Sequence, residues 1–136
     1  IMSNLQKNSV FKMFNFNKVS KENKEIVKTE EIMSQFKFPN NSKIDNKVAK
    51  LSILETAQLI VNSNVFLGAD GGLMHIAAAF DLAGVALFAK FRPELRLGYT
   101  SKILTLFTDA NVNQIEPTQI ITELTKLKLF LKDESL

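Results

Sequence analysis

The sequence predicts an α/β fold, a parallel sheet flanked by helices, and three observations predict it. Short apolar runs alternate with stretches of helical periodicity through the middle of the chain. One of the runs, Gly84-Val85-Ala86-Leu87-Phe88, is continuously apolar, as in a strand covered on both faces. Another, Val65-Phe66-Leu67-Gly68, passes through an acidic, glycine-rich turn straight into an alanine-rich helix, which is the join of a βα unit.

The N-terminal part is the least patterned. Residues 1–20 offer one strand candidate, around Val10 to Phe16. Ser20 is placed to cap a helix reaching about Phe36, with Ile26, Val27, Met33 and Phe36 on one face. Pro39-Asn40-Asn41-Ser42 ends that helix in a loop, and Val48-Ala49-Lys50-Leu51 is a short strand candidate. The chain therefore divides into an N-terminal segment with one helix, 1–47, and an α/β domain, 48–136.

Within that domain each element has a local cause. Ser52-Ile53-Leu54-Glu55 is a capping-box pattern opening a helix whose apolar stripe is Ile53, Leu54, Ala57, Ile60 and Val61. Val65 to Gly68 is the first strand, and the helix after it runs from Leu73 to Phe80. Gly84 to Phe88 is the buried strand. A loop from Ala89 to Tyr99 holds Pro93 and both arginines, and Ile103 to Phe107 makes a further strand. Pro117 suits the first turn of a final helix, whose seam is Ile120, Leu124, Leu127 and Leu131.

In parallel sheets of this kind ligands bind beyond the carboxyl ends of the strands. The two loops leaving those ends are Ala69–Leu73 and Ala89–Tyr99. Between them they hold Asp70, Gly71, Gly72, His75 just inside the helix, Lys90, Arg92 and Arg96. A strand that turns into a helix through consecutive glycines presents unpaired backbone N–H groups at a helix N-terminus. That is where an anion is favoured both by the donors and by the dipole. Gly71 and Gly72 let a phosphate approach the backbone closely. Simpler readings are a helix-capping Asp70, glycines serving turn geometry, a histidine satisfied within its helix, surface arginines, and Met74 and Ala77–Ala79 as packing residues that let the helix approach the sheet.

Composition narrows the classes of function. The net charge of +3 is small and its lysines are scattered, Lys7 to Lys50 and Lys126 to Lys132, so a nucleic-acid footprint is not expected. With no cysteine, thiolate catalysis and zinc–thiolate sites are excluded, and a single histidine argues against a histidine metal cluster. No apolar run approaches the roughly 18 residues needed to cross a bilayer. Phe11, Met13, Phe14 and Phe16 are interleaved with Lys and Asn, so no signal-peptide core forms, and a cytoplasmic location is expected.

Three stretches together carry a resemblance to a known family. They are Leu51-Ser52-Ile53-Leu54-Glu55, then Leu67-Gly68-Ala69-Asp70-Gly71-Gly72-Leu73-Met74-His75-Ile76-Ala77-Ala78-Ala79, then Val85-Ala86-Leu87-Phe88 with Pro93. This order and spacing resemble glycosyltransferase family 9, the ADP-heptose:lipopolysaccharide heptosyltransferases. The likeness covers about residues 48–133 and is strongest from Leu51 to Tyr99.

The resemblance implies the C-terminal half of a GT-B glycosyltransferase, a Rossmann-like domain that holds the nucleotide-diphosphate sugar. It implies a donor site formed by Asp70, Gly71, Gly72, Leu73, Met74 and His75. The turn amides of Gly71, Gly72 and Leu73 would hold the diphosphate, Asp70 would stand beside the donor sugar, and His75 would lie close to the phosphates. Two departures stand out: Gly71 replaces the family's Ser or Thr, and Ala89 replaces a Gly, followed by Lys90-Phe91-Arg92 in place of Gly-Pro-Thr. Lys90 or Arg92 would then supply phosphate-neutralising charge.

The implied reaction is sugar transfer with inversion, from ADP-heptose or a similar donor to a lipopolysaccharide-type acceptor. It needs no cofactor and no metal where backbone donors and cations stabilise the departing diphosphate, and there is no Asp-x-Asp motif. The catalytic base and acceptor domain do not fit ahead of Leu51, and the chain begins with Ile1, so an incomplete domain with an exposed sheet edge is expected. Membrane association would be at most peripheral, at the inner face of a bacterial inner membrane. A non-catalytic phosphate- or nucleotide-binding module, or a degenerate remnant acting through a partner chain, is the alternative. A stand-alone flavodoxin-like domain is a third reading, against which the helix at the expected first strand argues.

Overall fold

The structure is a computed structural model and describes residues 10–11, 30–31, 34, 43–98 and 102–134. The chain divides into two units, Ile1–Ile53 and Leu54–Leu136.

In the first unit, β1 (Val10–Phe11) pairs in parallel with β2 (Lys43–Ile44). Residues 30, 31 and 34 are helical, and the remainder of the helix expected up to Phe36 lies outside the described residues. The strand expected at Val48–Leu51 is instead a turn. The Asn46 side chain accepts a hydrogen bond from the Val48 N–H at 3.0 Å, and the Lys50 N–H donates to the Lys47 carbonyl at 3.2 Å. Ala49 sits at φ 56, in the left-handed region that no strand uses. A local side-chain bond to the backbone has outcompeted extended structure.

The second unit is built on a parallel sheet of three strands in sequence order, β3 (Phe66–Ala69), β4 (Gly84–Ala89) and β5 (Ile103–Thr108). In register, Phe66, Gly84 and Ile103 align across the three strands, as do Leu67, Val85 and Leu104. Helix α1 (Ile53–Val61) begins directly after Ser52, where the capping pattern puts it. Helix α2 (Gly72–Ala79) links β3 to β4, and α3 (Pro117–Glu134) follows β5.

Side-chain alternation sorts the strands into two faces. Ala86, Phe88 and Ile103 form one core with Ile60 of α1 and Met74, Ala77 and Ala78 of α2, with Phe66 packed against it. Val85, with Leu87, Leu104 and Leu106 beside it, forms the other against Leu124 and Leu127 of α3. The β4 strand is thus covered on both sides, as its unbroken apolar run requires, and Val85, Ala86 and Phe88 are fully buried. Ala77 and Ala78 keep α2 slender, so it can lie close over Ala86. On the α3 side Leu67 of β3 remains half exposed at 51%. Leu131, expected in the α3 seam, lies outside the described side chains.

Helix α3 is opened by its own sequence. Pro117 stands at its first position, where no N–H is missed, and the Gln119 side chain accepts a hydrogen bond from the Glu116 N–H at 2.8 Å. That is the return half of a capping box, with Gln in the place of Glu. Among the described residues no helix is long and apolar enough to cross a membrane.

Candidate functional site

All three strands run the same way, so their carboxyl ends lie along one edge. The ladder continues one residue beyond β3, where the Asp70 N–H donates to the Leu87 carbonyl at 2.9 Å, and beyond β4, where the Lys90 N–H donates to Thr108 at 3.2 Å. The turn after β3 and the loop after β4 are therefore neighbours, which brings the acidic and basic residues of the sequence together.

Gly71 is the N-cap of α2 at φ 166, an extended backbone open to any residue, and it makes no side-chain cap. The first helical hydrogen bond runs from the His75 N–H to the Gly71 carbonyl at 3.2 Å. The N–H groups of Gly72, Leu73 and Met74 precede that ladder and stand at the positive end of the helix dipole. A Cβ built on Gly71 or on Gly72 would meet nothing within 4 Å. Among the described residues nothing fills the space that a side chain at either position would take. Packing among the described residues does not require either glycine.

Asp70 does not cap α2. Its carboxylate, 18% exposed, faces the Arg96 guanidinium with Oδ2 3.6 Å from Nε. Arg96 in turn lies over the Phe91 ring, 5.1 Å from its centroid. This separation makes an ion pair rather than a short hydrogen bond, and the stacked ring limits where the guanidinium can go.

The loop that carries Arg96 is held in place. Pro93–Leu95 forms a single 3-10 turn, and the N–H groups of Arg96 and Leu97 both donate to the Pro93 carbonyl, at 2.9 and 2.8 Å. Leu97 is buried in the same core as Met74 and Phe88. Arg96 is presented from a turn pinned on one side by proline and on the other by a core leucine.

At the start of the loop, Lys90 has φ 72, and the Phe91 N–H donates to the Ala89 carbonyl at 2.9 Å. This is a γ-turn closed around a lysine in the left-handed region, a strained arrangement for a side chain with a Cβ. The resemblance expects a glycine here, and the backbone shows why.

Of the expected site residues, Asp70, Gly71, Gly72, Leu73 and Met74 come together at the opening of α2. The Met74 side chain is fully buried in the core, so its backbone N–H is what it contributes to the turn. His75 is half buried in the first turn of the helix. Lys90 and Arg92 are exposed at the start of the neighbouring loop and form no ion pair among the described residues. The residue that meets Asp70 is Arg96, which spacing alone does not distinguish from Arg92. Its signal was Pro93, which starts the turn, and the apolar Leu97 that follows it. No group of three or more His, Cys, Asp or Glu residues that could hold a metal occurs among the described residues.

Comparison with known proteins bears on the family and the fold. The chain is similar to the solved structure of E. coli ADP-heptose lps heptosyltransferase II, with a TM-score of 0.68 and 19% sequence identity. The match covers 90% of this chain and 37% of that one, so this chain spans well under half of that protein's length. No curated protein matches the sequence. The model of glycosyltransferase family 9 (heptosyltransferase) matches residues 17–121, which take in β3, the Asp70–Gly72 turn, α2, β4, the arginine loop and β5. With most of its length matched by that model, and with a parallel sheet whose strand ends bring the motif turn and the arginine loop together, the chain belongs to glycosyltransferase family 9.

Proposed function

We propose that this chain is the donor-binding part of an inverting glycosyltransferase. In this reading it holds a nucleoside-diphosphate sugar, a heptose donor such as ADP-heptose, for transfer to a lipopolysaccharide-core acceptor. The observation that carries the proposal is the α2 N-terminus. It is an open, glycine-lined turn at the carboxyl end of β3, with three backbone N–H groups ahead of the helical ladder.

The chemistry follows from charge. As the bond between the anomeric carbon and the diphosphate breaks, negative charge builds on the leaving phosphate. Fixed N–H donors and a helix dipole stabilise that charge without having to reorganise. Lys90 and Arg92 stand on the adjacent loop as additional cations, and Asp70 is positioned to accept hydrogen bonds from sugar hydroxyls. Deprotonation of the acceptor falls to a base outside this domain, in a two-domain GT-B arrangement in which this unit is the donor half. A cytoplasmic site at the inner face of a bacterial membrane follows from the acceptor proposed. With those donors in place, neither a cofactor nor a metal ion is needed for the step.

Calorimetric titration of the folded chain with ADP, UDP and GDP tests this reading. Saturable binding of one of them, lost in Gly72→Val while that variant's melting transition is kept, is the expected result. A folded chain that binds none of the three overturns it.

A further inference from the structure

An acid beside an anion site is an electrostatic liability. Asp70 immediately precedes the turn proposed to take a diphosphate, and a carboxylate there repels the ligand that the turn amides attract. The interaction between unit charges a few ångströms apart near a protein surface is large enough to change binding by orders of magnitude. The structure places a compensating charge on that carboxylate. Arg96 Nε is 3.6 Å from Asp70 Oδ2, its guanidinium lies over Phe91, and its backbone is held by a turn that ends in buried Leu97.

We propose that Arg96 is a positioning residue that neutralises and orients Asp70, so that a diphosphate can reach the α2 amides past a carboxylate. The inference rests on the donor-site reading above and adds to it a division of labour. The turn binds the diphosphate, Asp70 is kept for the sugar, and Arg96 cancels the charge that Asp70 would otherwise set against the phosphates. Phe91 completes the device by holding the guanidinium over the carboxylate, so that it does not swing out to solvent.

The idea makes a prediction that a direct phosphate contact does not: removing Asp70 should make Arg96 dispensable. The experiment is calorimetry on the full chain with ADP, UDP and GDP, for wild type, Arg96→Lys, Arg96→Gln, Asp70→Asn and the double variant, each checked for folding by thermal melting. Nucleoside diphosphates carry no sugar beyond the ribose, so loss of a donor-sugar contact to Asp70 does not enter the measurement.

Arg96→Gln is expected to weaken binding about tenfold or more, and Arg96→Lys, which keeps the charge, to weaken it much less. Asp70→Asn is expected to bind at least as tightly as wild type. In the double variant affinity should return to within a few-fold of Asp70→Asn, the non-additivity of two residues acting through each other. A double variant as weak as Arg96→Gln overturns the proposal and makes Arg96 a direct phosphate ligand. Unchanged binding in Arg96→Gln also overturns it and leaves the pair a surface ion pair. If wild type binds no nucleoside diphosphate, the donor-site reading itself falls and takes the proposal with it. That result is distinct from the other two, in which wild type binds.

Discussion

Phe66 and Gly84 face each other across β3 and β4 with no room for a methyl group between them. A Cβ on Gly84 would stand 2.5 Å from the Phe66 carbonyl oxygen and 2.8 Å from its Cβ. The Phe66 ring itself folds along its own strand over Gly68, where an added Cβ would come within 2.6 Å of Cζ. One aromatic thus occupies the space of two glycine side chains and closes the α2-side core at the edge strand. Gly84→Ala pushes on backbone rather than on a flexible side-chain tip, so the strands must shift. It is expected to destabilise the domain by about 1–3 kcal/mol, read as a lower midpoint in urea at unchanged slope. A Gly84→Ala variant as stable as wild type would show that β3 and β4 can separate freely here.

Met74 stands in the motif turn and its side chain lies in the core, as its packing reading expects, and substitution separates the two roles. Met74→Leu conserves volume and is expected to cost less than about 1.5 kcal/mol. Met74→Ala opens a cavity beside Phe88 and Ala77 and is expected to cost about 2–5 kcal/mol. Both keep the backbone N–H, so Met74→Leu should bind a nucleoside diphosphate as wild type does. Calorimetry on the leucine variant checks this, and a large loss there would mean that the thioether itself touches the ligand.

The parts of this domain legible in sequence were those fixed by local pattern. The continuous apolar run identified β4, Pro117 identified the start of α3, and the Ser52–Glu55 pattern identified that of α1, each within a residue or two. The glycines beside Asp70 identified the turn. What pattern could not reach was decided by particular contacts, some local and some between strands. The Val48–Leu51 segment starts with a strand-forming valine, but the Asn46 side chain bonds to the Val48 N–H and turns the chain there. Arg92 and Arg96 share a loop and a charge, and only the 3-10 turn at Pro93, anchored by Leu97, decides which of them reaches Asp70. Gly68 and Gly84 are plain residues in a strand pattern until the Phe66 ring is seen over the first and the Phe66 backbone and Cβ against the second.

Lys90 carries a conformational penalty that glycine would relieve. At φ 72 its Cβ crowds the backbone, at a cost on the order of 1–2 kcal/mol for a residue with a side chain. Glycine returns part of this as greater freedom of the unfolded chain, which leaves a net gain of about 0.5–1 kcal/mol for Lys90→Gly. A rise in melting temperature is the expected outcome. If the same variant also loses affinity for a nucleoside diphosphate, the strained position serves to aim the lysine at the ligand. A melting temperature that falls would instead show that the lysine stem packs usefully against the loop.

Leu97 ties the stability of the core to the placement of Arg96. It is 6% exposed, lies in the cluster with Met74 and Phe88, and its N–H closes the turn onto Pro93. Leu97→Ala removes buried methyl groups and is expected to destabilise by about 2–4 kcal/mol. The more informative readout is taken well below the melting temperature, where the variant is still folded. There the turn keeps its hydrogen bonds to Pro93 but loses its anchor, so the guanidinium is no longer fixed over Asp70. Affinity for a nucleoside diphosphate should then fall in the same direction as in Arg96→Gln, although residue 97 itself is buried away from the ligand. The Asp70→Asn change, added to Leu97→Ala, should recover that affinity without recovering the lost stability. Recovery of both, or of neither, would break the link between the core leucine and the charge pair.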